Sequence, residues 1–456
     1  MLDLGLGGFL ACVLAMGLRR PFFWVLAYIY VDIVMPQKIS WFLLASLPVS
    51  LIVFAAAFLG WLVLDDKRDS RFTLRQAIIV MLLLYCGYTT LVADFPAEAA
   101  EKWAWVWKAL VFAIFLPLTL RTRLRLEATI LVMVLGAASI IIVGGIKTAL
   151  GGGGYGSLKL LVNDNTGLYE SSIISCVAVA LIPAIVWLVK HGTIFPRDWK
   201  VMTFGGALIF ACLLIPVGTE ARTGLICIAV LAMLALRTTK RRFLYGALMS
   251  LAALAAIPFL PASYTERMNT IENHKADQSA STRIAVWKWT WEYAQDHPFG
   301  GGFEAYRSNK IRFEKVSTQT DGSTTEVEAE TVVDESRAFH SSYFEMLGEQ
   351  GFPGLGLWLW LQLLGVWQME RLRRRWKDRT GPGEQWQAPL ANALQQAQII
   401  YMFGSLFVGI AFQPFMYMLI GLQCALWSYL KRIEAPQWPV RAVRSVKPLA
   451  VPAPQG

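Results

Sequence analysis

The run ATILVMVLGAASIIIVGGIKTAL (residues 128–150) carries one charged side chain, Lys147, in a length that suffices to cross a membrane. A helix needs about 20 apolar residues to cross a hydrocarbon core of about 30 Å. Similar runs recur along the chain, which is 55% hydrophobic and 16% charged with a mean hydropathy of +0.47. This composition is too apolar for a soluble domain. Because the runs lack the alternating pattern of barrel strands, they predict an all-α polytopic integral membrane protein.

Thirteen apolar segments are candidate spans, and three of them are short. They are 2–18, 21–36, 41–64, 74–93, 103–120, 127–150, 168–189, 201–217, 223–236, 243–260, 353–369, 394–412 and 415–430. We therefore expect about 12 transmembrane helices, in a range of about 11 to 13. Residues 1–260 would form an N-terminal bundle and residues 353–430 a C-terminal group of helices, separated by one long polar segment.

The charges of the connecting segments alternate along the chain. Basic clusters such as Lys67, Arg68, Arg71 and Arg75 occupy every second connection, which places them in the cytoplasm by the positive-inside rule. The net charge of +10 therefore reads as a topology signal and not as a nucleic-acid-binding surface. Residues 261–352 hold nine Lys and Arg against fifteen Asp and Glu, which fits a large loop on the opposite side. The proline-rich tail, residues 431–456, is predicted to be cytoplasmic and disordered.

Arg222 lies in TEARTG (residues 219–224), between two apolar runs at the non-cytoplasmic end of a span. One interpretation is an interfacial arginine that reaches the lipid headgroups or pairs with Glu220. The other is a guanidinium that grips phosphate through two charge-assisted hydrogen bonds. The sequence of this turn alone leaves both open.

The segment STRIAVWKWTWEYAQDHPFGGGF (residues 281–303) predicts an amphipathic helix that ends at a glycine turn. Arg283, Trp287 and Trp291 recur at every fourth position, and aromatic rings are enriched at membrane interfaces. We therefore expect an interfacial helix within the long loop. A simple surface helix with no chemical role would give the same pattern.

His340 begins the stretch HSSYFEMLGEQGFPG (residues 340–354), just before a segment that enters the membrane. Ser341, Ser342 and Tyr343 follow it and are candidates to orient the imidazole. A lone histidine is more often structural, but an imidazole with a pKa near ~6.5 at this surface also suits a general base. No HxxxH or HExxH spacing occurs, so no metal site is expected.

Three sequence regions together resemble the O-antigen ligase and polymerase superfamily of bacterial envelope enzymes. They are TEARTG, the R-x3-W…HPFGGGF segment and FHSSYFEMLGEQGFPG, and the layout of many spans with one large external loop is also similar. The resemblance implies a GT-C-like glycosyltransferase of the bacterial inner membrane that uses neither metal nor cofactor. Its active site would face the periplasm, between the loop 261–352 and the outer ends of the spans, including the turn that contains Arg222.

The resemblance also implies the substrates and the role of each residue. The donor would be a glycan on undecaprenyl diphosphate, and the acceptor a sugar hydroxyl of the lipid A core. His340 matches the histidine that acts as the base, while Arg222 and Arg283 match the arginines that bind the diphosphate. Ser341 stands where many members have Asn. Membrane lipids are the other expected partner, and nucleic acid is not.

Several alternatives remain open at this point. An O-antigen polymerase or a protein O-oligosaccharyltransferase would use the same donor, and PFFWVLAYIYVDIVMPQKISW (residues 21–41) resembles a subgroup named for O-glycosylation ligases. A transporter of lipid-linked oligosaccharide is disfavoured because few charges lie within the apolar runs, whereas transporters place polar groups near the bilayer midplane.

Overall fold

A computed structural model of the chain describes residues 2–67, 71–151, 167–237, 239–256, 278–321 and 324–434. The first part of the chain forms α1 (Leu2–Arg19), α2 (Phe22–Val34), the single turn α3 (Pro36–Ile39), α4 (Val49–Leu59), α5 (Leu74–Leu91), α6 (Pro96–Thr119), α7 (Arg123–Gly151), α8 (Ser171–His191), α9 (Trp199–Gly218), α10 (Arg222–Arg237) and α11 (Arg242–Ala256). The second part forms α12 (Gln278–Asp296), strands β1 (Lys310–Asp321) and β2 (Thr324–Glu335), α13 (Ser342–Trp376), α14 (Gln387–Gly404) and α15 (Pro414–Glu434). The predicted helical fold is therefore confirmed in its main outline.

Each of the thirteen apolar segments overlaps a helix, because backbone polar groups that enter lipid must be satisfied within their own segment. Within the described ranges, five helices are long and apolar enough to cross a membrane: α5, α6, α7, α8 and α9. Two further apolar helices, Phe22–Val34 and Val49–Leu64, are shorter. The chain is a multi-pass membrane protein, and the number of about 12 spans stays a prediction.

Small residues and buried amides hold the helices together. A Cβ at Gly404 of α14 would lie 2.4 Å from the sulfur of Cys176 on α8, so the Cys176 side chain packs directly on the backbone of α14. Gln398 of α14 donates to the side chain of Gln362 on α13 (2.8 Å) and accepts from Gln423 on α15 (3.0 Å). These side-chain amides join the three C-terminal helices, and Gln362, Gln398 and Gln423 are all fully buried.

Arg75, which the sequence places in a basic cluster on the cytoplasmic side, also belongs to this buried group. Its guanidinium is fully buried and donates to Gln423 Oε1 at 2.8 Å. Arg75 is the second residue of α5, and the helix turns it inward against α13, where a Cβ at Gly365 would lie 2.4 Å from its Nη2. The burial of Arg75 was not predicted, and the cytoplasmic side of its cluster stays a prediction.

The long polar segment contains a β-hairpin that an all-α prediction did not include. β1 and β2 pair antiparallel from Lys310 opposite Glu335 to Asp321 opposite Thr324. Asn309 closes the base of the hairpin, because its side chain accepts from the amide of Arg337 (2.9 Å) and donates to the carbonyl of the same residue (2.7 Å). The two ends of the hairpin are thus tied at one point.

Some predicted boundaries shift. α14 ends at Gly404, whereas the span had been predicted to cover residues 394–412, and residues 405–413 form a loop that returns toward α13. α15 continues to Glu434, past residue 431, where the cytoplasmic tail had been predicted to begin. The predicted disorder of residues 435–456 concerns residues outside those described.

Candidate functional site

A cleft of about 430 Å³ lies where α8, α12 and α13 begin or end. We call it the His340 cleft. His340 and Arg283 both line it, and so do Ser171–Ile173 at the start of α8 and Phe407–Gly409 after α14. Its other charged side chains come from four elements of the chain: Lys102, Glu170, Glu304, Glu345 and Glu349.

A second cavity of about 400 Å³ adjoins the first, and we call it the Glu101 cavity. The two cavities share Lys102, Glu304, Glu345 and Gly409. The second is further lined by Glu98, Glu101, Trp105 and Arg307, with the ring of Trp105 37% exposed. The charged side chains of Lys102, Glu304 and Glu345 therefore line both cavities and form the wall between them.

The backbone of His340 is in the left-handed region, with φ of 48°. It follows buried Phe339 and precedes Ser341, the N-cap residue of α13. Its imidazole is exposed to the cleft. The pKa of His340 lies below its ordinary value, because the surrounding protein desolvates the ring and the positive charges of Arg283 and Arg337 oppose protonation.

The residues expected to orient His340 hold the start of α13 instead. The hydroxyl of Ser342 donates to the carbonyl of Val408 and accepts from the amide of Ile410, both at 2.9 Å. Tyr343 donates to the carbonyl of Met402 at 3.2 Å. These bonds attach the first turn of α13 to the end of α14 and to the loop that follows it. The side chains of Ser342 and Tyr343 thus bond backbone groups, and the orientation of the imidazole by residues 341–343 stays a prediction.

Arg283 is carried by α12, which forms as the sequence predicted. The residue one turn later on the same face, Trp287, donates its indole N–H to the carbonyl of Phe339 at 2.9 Å. The Trp287 ring also stacks on Phe344 of α13, with centroids 5.1 Å apart and planes 6° from parallel. α12 is thereby fixed against the segment that contains His340, with Arg283 facing the same cleft.

Arg222 lies at the same end of the bundle but is not among the residues that line the His340 cleft. It begins α10 after a turn in which Glu220 has φ of 52°. The hydroxyl of Thr219 in this turn lies 2.9 Å from that of Ser175 on α8. Ser175 is one helical turn further along α8 than Ser171, which does line the cleft. The structure thus joins Arg283 and His340 in one cavity, and sets Arg222 beside the helix that forms its wall.

A buried ion cluster lies between the two cavities and was missed by sequence reasoning. Lys102 Nζ contacts Glu345 at 2.7 Å and Glu349 at 2.8 Å. Glu349 is fully buried and also accepts from the amide of Glu304, while Glu345 accepts from the amide of Ala411. Burial raises the pKa of Glu349 to about 8, against the opposing effect of Lys102. The i, i+4 spacing of the two glutamates was the available signal, since it puts both on one helix face.

The glycine turn HPFGGGF packs into a break in α13. Gly351 has φ of 62° and ψ of −168°, which interrupts the helix, and the amide of Phe352 donates to the carbonyl of Pro298 at 3.0 Å. The amides of Gly301 and Gly302 donate to the carbonyls of Gly348 and Glu349, at 3.1 and 2.9 Å. The backbone amides of the turn thus donate hydrogen bonds to carbonyl groups of α13 next to the break. Two of the sequence motifs, residues 297–303 and 348–354, are therefore hydrogen-bonded to each other at the break in α13.

Comparison with known families divides the chain into two matched regions. Residues 207–359 match the O-antigen ligase family, which confirms the resemblance found in the sequence. Residues 1–193 match a family of unknown function, DUF5935. A search of the curated proteins gives no match for this chain. Arg222, Arg283 and His340 all lie in the O-antigen ligase match, residues 207–359. Lys102 and Glu170 lie in the DUF5935 match, residues 1–193, so residues from both matched regions line the His340 cleft.

Proposed function

We propose that the protein is an O-antigen ligase that transfers a glycan from undecaprenyl diphosphate to a sugar hydroxyl of the lipid A core. In this proposal it is a metal-independent, GT-C-type glycosyltransferase of the bacterial inner membrane, and its site faces the periplasm. The observation that carries the proposal is that Arg283 and His340 line one cleft, inside the region that matches the O-antigen ligase family.

His340 would act as the general base that removes the proton of the acceptor hydroxyl. Its lowered pKa supports this role, because the imidazole is then neutral near pH 7 and can accept a proton. The hydroxyl oxygen would attack the anomeric carbon of the donor while the bond from that carbon to the diphosphate oxygen breaks. A positioned base of this kind contributes roughly 10²–10⁴-fold in rate.

Arg283 and Arg222 would bind the diphosphate and stabilise the negative charge that develops as it leaves. A preorganised donor aimed at such charge is typically worth ~3–4 kcal/mol. The position of Arg283 in the cleft supports this role directly. For Arg222, the support is its place next to α8, and the proposal requires that its guanidinium reach a diphosphate lying against Ser171 and Ser172.

The two adjoining cavities support a reaction of two substrates. The His340 cleft would take the diphosphate end of the donor, and the Glu101 cavity gives a second, separate space for sugar beside it. The His340 cleft is at the N-terminal end of α8, whose other end carries His191. At 1.5 Å per residue, the two ends are about 30 Å apart, which is the thickness of a hydrocarbon core.

The test compares His340→Ala with His191→Ala in a strain that lacks the gene. We expect His340→Ala to abolish glycan transfer while the protein accumulates at its normal level, and His191→Ala to transfer normally because it lies at the far end of α8. Normal transfer by His340→Ala would remove the base assignment.

The polysaccharide of the strain without the gene distinguishes the ligase from the other enzymes. Loss of a ligase leaves lipid-linked polymer and an unmodified core, which is the expected result. Core that carries a single repeat unit would indicate a polymerase instead. Intact lipopolysaccharide with unglycosylated protein would indicate a protein O-oligosaccharyltransferase.

A further inference from the structure

The indole of Trp287 connects the helix that carries Arg283 to the backbone of His340. Its N–H donates to the carbonyl oxygen of Phe339 at 2.9 Å. That carbonyl and the amide of His340 belong to the same planar peptide group. A bond to one atom of the plane therefore restricts the rotation of the whole plane, including the backbone angle φ of His340.

This restriction matters because φ of His340 is 48°, in a region that residues other than glycine seldom adopt. Such a conformation persists only where the surroundings fix it. Phe339 is 3% exposed, and its ring packs against Gly348, where a Cβ would lie 2.6 Å from the Phe339 ring. The side chain on one side of the peptide is thus held by packing, and its carbonyl is held by Trp287.

We infer that Trp287 is a positioning residue that holds the His340 backbone in its left-handed conformation, and so directs the imidazole into the cleft beside Arg283. The inference rests on the proposed function, in which His340 is the base. It also explains the R-x3-W spacing: one helical turn puts the cation in the cleft and the indole on the peptide of His340.

The stacking of Trp287 on Phe344 is a separate contact, and two variants separate it from the hydrogen bond. Trp287→Phe keeps an aromatic ring at the position but removes the N–H. Phe344→Leu removes the stacked ring and keeps the N–H. Trp289→Phe is the matched control, because Trp289 lies on the same helix and stacks on Tyr293.

The experiment uses the full-length protein in liposomes with an undecaprenyl-diphosphate-linked glycan and a lipid A core acceptor. We expect Trp287→Phe to lower kcat about tenfold, since misplacing a reacting group by about 1 Å costs up to ~10²-fold. The KM for the donor should stay within about twofold. Phe344→Leu and Trp289→Phe should keep kcat within about threefold.

The pH profile supplies a readout that a purely structural role would not change. If the imidazole moves away from Arg283, its protonation becomes easier, and the acid limb of the Trp287→Phe profile shifts to higher pH. A lower yield of folded protein with normal kcat and an unshifted acid limb would overturn the inference. So would a rise in donor KM alone, which would assign Trp287 to donor binding. Failure of the proposed function is distinguishable, because then His340→Ala would transfer as well as the wild type.

Discussion

Replacement of Lys102 by methionine is the sharpest test of the buried ion cluster. Lys102 is the cation that contacts both Glu345 and Glu349, at 2.7 and 2.8 Å, and Glu349 is fully buried. Removing one member of a buried pair typically costs about 3–5 kcal/mol, because a charge is left without compensation. Burial already raises the pKa of Glu349, and loss of Lys102 removes the charge that opposes this rise, so the carboxyl can take up a proton in the variant. We therefore expect a loss of about 3 kcal/mol, the lower end of that range.

The free energy of unfolding can be measured by SDS titration of the protein in mixed micelles, followed by tryptophan fluorescence. Lys288→Met is the control, since Lys288 is 3.9 Å from Glu292 and both side chains are mostly exposed. Such pairs are worth under about 1 kcal/mol. The raised pKa of Glu349 sets the sign of the pH effect: stability is fully present below the pKa of an unfolded glutamate and is lost as pH rises through the raised pKa of the folded protein. Without Lys102, which opposes the rise, that pKa lies higher still. The loss in Lys102→Met should therefore be larger at pH 9 than at pH 6. A change below about 1 kcal/mol at both pH values would refute the reasoning.

Two further outcomes follow from the site and from the break in α13. Because the charge of Arg337 lowers the pKa of His340, Arg337→Gln should raise that pKa and move the acid limb of the kcat profile to higher pH. An acid limb at the wild-type pH would contradict an effect of Arg337 on the base. Gly351→Ala should destabilise the protein by about 2 kcal/mol, since φ is 62° and a Cβ would lie 2.3 Å from the carbonyl oxygen of Pro298. Gly356→Ala is its control, because open space surrounds that position and the change should be neutral or slightly stabilising. Equal unfolding free energies for the two alanine variants in SDS titration would contradict the role given to the break.

The helices were predictable because lipid leaves the chain little choice: an apolar run must satisfy its own backbone groups. The meeting of Arg283 and His340 was also predictable, since each is next to a recognisable motif on one predicted side of the membrane. Lys102 was not predictable in the same way. In the sequence it follows Glu98 and Glu101 and looks like part of a solvated helix end. Only the packing of α6 against α13 brings it to two glutamates more than 240 residues later.

The hairpin and Arg75 were missed for different physical reasons. Residues 310–335 alternate between threonine, valine and charged residues without a continuous apolar face, so the period-2 hydrophobic signal of a strand is weak. Arg75 is only four residues from Arg71, and composition alone cannot tell two arginines of one cluster apart. Which of the two arginines is buried depends on the rotation of α5 about its axis. That rotation depends in turn on Gln423 and the other buried amides.

The closure of the hairpin at Asn309 makes the hairpin a separable insert in the chain. Residues 310–335 leave and return at a single clamp, where Asn309 holds both polar groups of the Arg337 backbone. Lengthening or shortening β1 and β2 would therefore alter only the hairpin beyond Asn309. The three-residue path from Arg337 to His340 would stay in place. This is the position at which an affinity tag or a fluorescent reporter can be built into the protein next to its reaction cleft, without altering the cleft itself.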